Sequence, residues 1–199
     1  MLFLNISTDL VIIQINDDTI KLNRQEIENI IWPTMIKLYK KHNFKQVFLL
    51  NGPWWFTNLR VGTLALNLLN TLENWSINIF SISKIEFFNY FVTKWILPKK
   101  WIIYLWQKKN VWEYNFEKLK YETIKKEDIN YNENIFFDLV YEAWYFEEKT
   151  IDIFIQKENI ILNYKWQNFE TNIKELWLKA AKIVEAKYFI QPIMWNQWQ

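Results

Sequence analysis

The segment from Asn51 to Gly62 carries the residue types best suited to chemistry, because it could present backbone N–H groups to an anion. It reads Asn-Gly-Pro-Trp-Trp-Phe-Thr-Asn-Leu-Arg-Val-Gly and contains both glycines of the chain. An apolar run at 46–50 precedes it and an apolar periodic run follows it, which predicts a strand, a loop and a helix with Thr57 as N-cap. A glycine at position 54 would let the loop backbone approach a phosphate at the helix N-terminus. A lone Gly-Pro loop is a weak phosphate signal, so we favour the simpler interpretation that the loop only sets the direction of the second helix.

No other group of residues points to catalysis or to a metal. The chain has one histidine, His42, and no cysteine, whereas a metal site on a helix needs imidazoles or thiolates at fixed spacing. The lack of cysteine also excludes disulfides and fits a reducing compartment. Carboxylate pairs such as Glu147 and Glu148 lie in polar stretches that are typical of a solvated surface. We therefore predict no catalytic residue and no metal ligand, and we interpret Arg60 as a contact within its lobe or to a partner.

The glycine and tryptophan contents are unusual. The 199 residues would ordinarily include about 14 glycines, at about 7% of a chain, but this chain has 2 glycines and 13 tryptophans. Several tryptophans, such as Trp75 and Trp166, occupy places where a turn glycine would be ordinary. Our hypothesis is that the gene comes from a lineage that reads the UGA codon as glycine and is translated here with UGA as tryptophan. The alternative is a tryptophan-rich protein whose indoles fill a core or bind sugars or bases.

Charge and hydropathy set broad limits on function. The formal charge is +2, and without a face-wide basic run it gives no electrostatic case for direct nucleic-acid binding. The first residues lack the charged and long apolar regions of a signal peptide. No apolar run approaches the ~18 residues that a membrane span requires. We expect a soluble, cytoplasmic protein.

Residues 1–97 predict an α/β lobe. The predicted elements, in order, are strands at 2–6, 10–15 and 19–22, a helix after Asn23 with Pro33 inside it, a strand at 46–50, a helix at 58–73, a strand at 77–82 and a helix at 84–93. Pro33 should kink or restart the first helix. The later strands are expected to be parallel and covered by helices.

Residues 98–199 predict a second lobe that opens like the first. A hairpin surrounds Lys108, and further strand-like runs follow from Ile135. Between them, the charged stretch 118–134 is interpreted as an exposed connection. The last helix is predicted at 168–186 and could pack back on the first lobe. The similar openings suggest a duplicated architecture.

The loop from Asn51 to Gly62 resembles the hallmark loop of the TsaB family of tRNA threonylcarbamoyladenosine biosynthesis proteins, which reads Gly-Pro-Gly-Ser-Phe-Thr-Gly-Leu-Arg-Ile-Gly. The identical residues are Gly52, Pro53, Phe56, Thr57, Leu59, Arg60 and Gly62. Trp54 falls on a glycine of that loop, as a misread UGA codon would explain. Residues 3–8 are similar to the family's first strand, although Ser7 stands where the family usually has an aspartate. Residues 191–194 are similar to its closing Glu-Pro-Leu-Tyr.

The resemblance implies a two-lobed actin-like or Hsp70-like ATPase fold, ribonuclease H-like, with mixed sheets flanked by helices. It also implies a noncatalytic subunit that supports a TsaD-type catalytic subunit in threonylcarbamoyl modification of tRNA adenosine 37, together with a TsaE-type ATPase. The chain would meet tRNA only through that complex and would bind no cofactor of its own, with any nucleotide held at the interface with its partners. A homodimer is expected to be possible when the partner is absent. The alternative is an active small-molecule kinase or hydrolase of the same superfamily, which would need an aspartate near Ser7 or Thr8 and a phosphate loop in the second lobe.

The first two helices carry apolar residues on more than one face, which indicates burial on more than one face. One face must cover the sheet, and the resemblance assigns another to a four-helix bundle with the partner, although apolar periodicity alone is more typical of a core. The residues assigned to the partner interface are Ile31, Thr34, Met35, Leu38, Leu59, Thr63, Leu66, Leu69 and Asn70. On the second helix they lie opposite Leu64, Leu68 and Leu72.

Overall fold

The computed structural model describes residues 1–8, 10–23, 25–52, 56–104, 110–137 and 150–188. Within these ranges the chain forms two compact units. The first contains residues 1–86, 155–159 and the described part of 172–199, and the second contains the described parts of 87–154 together with 160–171. The predicted division between residues 97 and 98 differs from these units. The physical reason is that Phe88 packs edge-on against Trp101 and Phe136, with ring centroids 4.9 Å and 5.3 Å apart.

A five-stranded sheet forms the centre of the first unit. Its elements are β1 (Leu2–Asn5), β2 (Leu10–Ile15), β3 (Asp18–Asn23), α1 (Ile27–His42), β4 (Gln46–Leu50), α2 (Phe56–Leu72) and β5 (Asn78–Ile82). The strand order is β3-β2-β1-β4-β5. The first three strands pair antiparallel, and β4 and β5 run parallel to β1. The predicted mixed α/β class, with mixed sheets and flanking helices, is therefore confirmed.

The core of this unit lies between the sheet and its helices. Strands β1 and β4 are almost entirely apolar and buried, as expected for parallel strands covered by helices. In α1 the buried residues recur at helical spacing, from Ile27 to Ile31 and Met35. The helix begins later than predicted, at Ile27, with Glu26 as N-cap. It continues through Pro33 and ends at His42. Asn43 follows as the C-cap, and its left-handed backbone is a common helix stop.

The second unit repeats the opening topology of the first. Its sheet contains β6 (Lys100–Tyr104), β7 (Asn110–Asn115), β8 (Lys120–Lys125) and β9 (Ile135–Phe137), in the order β8-β7-β6-β9. As in the first unit, the three consecutive strands pair antiparallel and the fourth runs parallel to the first of them. The predicted duplication is confirmed at this level. Strand β8 lies in the stretch predicted to be an exposed connection. Its residues are exposed or half-buried, as predicted, but they form a strand that extends the sheet beside β7.

The remaining helix and strands complete the described chain. Helix α3 (Lys84–Thr93) has the predicted bounds, and a three-stranded sheet follows from β10 (Asp152–Gln156), β11 (Asn159–Tyr164) and β12 (Gln167–Thr171). The predicted helix at 168–186 is wrong. Residues 167–171 pair with β11, and the described residues after Thr171 form turns, bends, irregular chain and one isolated bridge from Ala181 to Ile79.

Candidate functional site at the start of helix α2

The predicted functional loop lies at the carboxyl ends of β1, β4 and β5, the edge where α/β proteins usually bind ligands. Strand β4 ends at Leu50, and α2 begins at Phe56. Residues just after the two neighbouring strands bind this region through backbone hydrogen bonds. Ile6 N, after β1, donates to the Leu50 carbonyl, and Lys84 N, after β5, donates to the Gly52 carbonyl. Residues 53–55, which include Pro53 of the predicted site, lie outside the described residues, and nothing is described of the Phe56 side chain.

Gly52 has a structural requirement for glycine. Its φ is +62°, and a Cβ atom built on it would lie 2.1 Å from the carbonyl oxygen of Lys187. Only glycine combines a left-handed backbone with so close an approach of another chain segment. The space beside the Gly52 Cα is therefore filled by the backbone of residue 187.

Gly62 lets α2 approach β1 closely. A Cβ at Gly62 would lie 2.5 Å from Cγ2 of Ile6, which is fully buried just after β1. The second glycine of the loop motif thus sets the distance between helix and sheet. Both glycines of the chain are explained by close packing in the first unit.

Thr57 and Arg60 lie in the first turns of α2. The predicted N-cap role of Thr57 is wrong, because α2 begins at Phe56 and Thr57 therefore lies inside its first turn. Arg60 is exposed, and its positive charge acts on the phenol of Tyr188. Burial raises the pKa of Tyr188 above its usual value, and the positive charge of Arg60 partly opposes that rise.

A buried polar cluster surrounds the end of β1. The Ser7 hydroxyl and backbone N–H both donate to Oδ1 of Asn5, at 2.7 Å and 3.0 Å. Asn58 donates to the Thr8 carbonyl at 2.8 Å, and its own Oδ1 has no hydrogen-bond partner among the described residues. The hydroxyl that stands in place of the family's aspartate is therefore used to hold the backbone turn after β1.

Sequence reasoning missed Lys84, whose side chain is fully buried. Its ammonium donates to the Ser7 carbonyl at 2.6 Å, so it binds the end of β1 to the start of α3. The signal for its position is the Ser-x-x-Glu pattern of a capping box around it. Ser83 and Glu86 exchange the expected hydrogen bonds, from Ser83 N to Glu86 Oε2 at 2.9 Å and from Glu86 N to Ser83 Oγ at 3.1 Å.

Three asparagines hold the segment 181–187 against the rest of the first unit. Asn51 donates to the Glu185 carbonyl at 2.7 Å, Asn67 to that of Val184 at 2.8 Å, and Asn70 to that of Lys182 at 2.8 Å. Two amide oxygens also accept backbone N–H groups of the segment, from Lys187 at 3.3 Å and from Val184 at 3.0 Å. We call residues 181–187 the strap. Asparagine suits this role because one amide both donates and accepts.

The predicted partner interface lies on the inner side of the two helices. All of its residues except the half-buried Thr34 are buried within the first unit: Ile31, Met35, Leu38, Leu59, Thr63, Leu66, Leu69 and Asn70. The apolar residues among these belong to one core cluster with β1 and β4. These residues already pack against the sheet, so they are not free to form the direct contact surface that was predicted.

The opposite side of α2 carries an apolar stripe that the described residues leave exposed. Leu64 is 66% exposed, Leu68 44% and Leu72 60%. These three leucines follow one another at a spacing of four residues, so they form one line along the helix. We call them the outer stripe. Ile30 on α1 is also exposed.

A metal-binding cluster and a membrane-spanning helix are both absent from the described residues. They contain no group of three or more His, Asp or Glu side chains placed to hold a metal ion. None of the described helices is long and apolar enough to cross a membrane.

Comparison with solved structures found several similar chains, among them two from Pseudomonas aeruginosa. YeaZ, a TsaB protein, is 11% identical with a TM-score of 0.41, over 69% of this chain and 74% of that chain. An uncharacterized protein with similarity to peptidase YEAZ is 13% identical with a TM-score of 0.38, over 69% of this chain and 74% of that chain. At these identities and TM-scores neither similarity assigns a function to this chain. No protein-family model matches the chain, and no curated protein matches it.

Proposed function

We propose that this chain is a noncatalytic TsaB-like subunit. It binds a TsaD-type catalytic subunit and supports it in the threonylcarbamoyl modification of tRNA adenosine 37. The observation that carries the proposal is the outer stripe of α2, directly downstream of a loop that resembles the TsaB hallmark loop. Contiguous apolar surface on a soluble protein marks an interaction site.

The inner face of α2 supports the same proposal indirectly. Leu59, Leu66 and Leu69 already cover the sheet, whereas the leucines of the outer stripe stay 44–66% exposed among the described residues. A helix with one face buried in its own domain and a second apolar face is suited to helix-in-groove or bundle packing with a partner. The TsaE-type ATPase and tRNA then join through the catalytic subunit.

The test is co-purification of this chain with a TsaD-type catalytic subunit from the same organism. The unaltered chain is expected to elute with that subunit in gel filtration. The double variant Leu64→Glu and Leu68→Glu is expected to lose this association while keeping its circular dichroism spectrum, because glutamate is a good helix former and both positions are exposed. Gln156→Glu, an exposed position of the first unit away from α2, is the matched control and should bind normally.

Two results would contradict the proposal at different levels. If the folded double variant still binds, the outer stripe is not the interface. If the unaltered chain fails to bind any TsaD-type subunit, the proposed function itself is wrong. Light scattering of the chain alone also measures whether the same face forms a homodimer, which the double variant should then convert to a monomer.

A further inference from the structure

Four tryptophans have a backbone conformation that favours glycine. They are Trp75, Trp95, Trp166 and Trp177, with φ of 60°, 61°, 63° and 54°. Residues with a Cβ rarely adopt positive φ, and a bulky aromatic residue there is an outlier, whereas glycine adopts it without steric cost. The other described tryptophans, Trp32, Trp101 and Trp112, are not among the positive-φ residues.

Trp95 and Trp177 occupy the position where a glycine usually ends a helical turn. After α3, Trp95 N donates to the Val92 carbonyl and Ile96 N to the Phe91 carbonyl, both at 3.0 Å. This pair of bonds defines a Schellman motif, whose left-handed residue is most often glycine. The same pair recurs around Trp177, whose N–H donates to Lys174 at 3.0 Å while Leu178 N donates to Ile173 at 3.2 Å.

Trp166 and Trp75 each follow a residue that also has positive φ. Lys165 and Trp166 form the two-residue turn between β11 and β12, with Tyr164 paired to Gln167 across it. Two positive φ values define a type I′ turn, for which Asn-Gly is the commonest sequence. Beyond α2, Asn74 and Trp75 have φ of 53° and 60°, so Asn-Trp stands where Asn-Gly would be ordinary.

Exposure separates the same two groups. Trp75, Trp95, Trp166 and Trp177 are 40%, 84%, 70% and 90% exposed. Trp101 is fully buried and stacks with Phe136 at 6.3 Å between ring centroids. Trp32 and Trp112 are half-buried. Only the second group uses its indoles as large apolar packing surfaces.

We propose that Trp75, Trp95, Trp166 and Trp177 are glycines in the protein made by its own organism, which reads UGA as glycine, and that Trp32, Trp101 and Trp112 are true tryptophans. The backbone geometry of single positions thus extends the hypothesis raised by the overall composition. Its functional consequence is that the native surface lacks four exposed indoles. An aromatic platform for sugars or bases at these four sites would therefore be a product of translation with the other code.

The gene and the native protein give the direct test. We expect UGA codons at the four positive-φ positions and UGG codons at the other three. Peptide mass spectrometry of the protein isolated from its own organism should show glycine at 75, 95, 166 and 177 and tryptophan at 32, 101 and 112. A UGG codon or a native tryptophan at any of the first four positions overturns that assignment.

Thermal unfolding of the tryptophan-containing protein tests the backbone argument separately. Trp95→Gly and Trp166→Gly are each expected to raise Tm by about 2–4 °C, as relief of about 1 kcal/mol would in a chain of this size. Trp95→Ala is the matched control, since it removes the indole but keeps the Cβ, and it should gain less. Equal gains from glycine and alanine would overturn the argument from positive φ. Trp101→Gly should lower Tm or abolish folding.

Discussion

The two faces of helix α2 carry the same residue type in opposite environments. Leu59, Leu66 and Leu69 are buried against the sheet of the first unit, whereas Leu64, Leu68 and Leu72 face outward. The inner face also includes Gly62, which packs closely against Ile6, and Asn70, which forms hydrogen bonds with Ile77 and Lys182. The difference shows that leucine in one helix serves stability on one side and, as we propose, recognition on the other.

The largest expected difference is between Leu66→Ala and Leu68→Ala. Leu66 is fully buried, so its truncation should lower the free energy of unfolding by about 2–5 kcal/mol through lost burial and a residual cavity. Leu68→Ala should stay within about 0.5 kcal/mol, because the side chain is exposed. Urea unfolding of both variants measures the contrast. Similar losses for the two would mean that the outer stripe is covered in solution.

Gly62→Ala probes how closely the inner face approaches β1. The added methyl would lie 2.5 Å from Ile6 Cγ2, so we expect a loss of about 1–3 kcal/mol from overpacking. Thr71→Ala, on the exposed side, should change stability by no more than about 0.5 kcal/mol. The two variants are compared by denaturant unfolding. A neutral Gly62→Ala would show that the helix can move away from the sheet at no cost.

Asn70→Ala and Asn67→Ala compare a buried and a half-buried clamp on the strap. Asn70 is fully buried and holds both Ile77 N and the Lys182 carbonyl, so its loss leaves buried backbone groups unpaired and should cost about 1–3 kcal/mol. Asn67→Ala should cost about 0.5–1.5 kcal/mol, because water can replace its partners. Hydrogen exchange at the Val184 amide is expected to accelerate in Asn67→Ala. Unchanged exchange there would mean that the amide does not hold the strap.

The smallest effect is expected from an exposed ion pair to the strap. Burial raises the pKa of Glu86, but hydrogen bonds from Ser83, together with the hydrogen bond and charge of Lys187, outweigh it and hold the pKa below its ordinary value of 4.5. A carboxylate whose pKa is lower in the folded state stabilises the protein above its unfolded pKa, and this stabilisation is lost as pH falls through the folded value. The Glu86→Gln variant lacks this carboxylate, so it should lose slightly less stability than the unaltered protein when the pH falls below about 4.5. Thermal unfolding at pH 7 and at pH 3 measures it, and an identical acid loss in both proteins would contradict the assignment.

The predictable part of the fold is the part that local patterns encode. Helix α3 has its predicted bounds, and the strands of the first sheet were located within one or two residues, because apolar runs and turn residues act over short distances. The loop motif suggests a turn that directs α2, or an anion site with a glycine at position 54, but it does not indicate that Gly52 and Gly62 are required by Lys187 and Ile6. Those contacts join residues far apart in the chain, so no local pattern reports them.

The sequence by itself determined the class of the fold, the repeated strand openings, the loop motif and the apolar periodicity of α2. Only the tertiary structure decided which face of α2 is covered, since periodicity specifies a stripe but not its neighbour. It also decided that residues 172–187 form turns and a strap instead of a helix. Their apolar spacing favours a helix, but asparagine amides elsewhere in the first unit bind the backbone N–H and carbonyl groups of the strap. Finally, it separated the tryptophans that pack as tryptophans from those whose backbone favours glycine, because φ depends on the turn that each position must make.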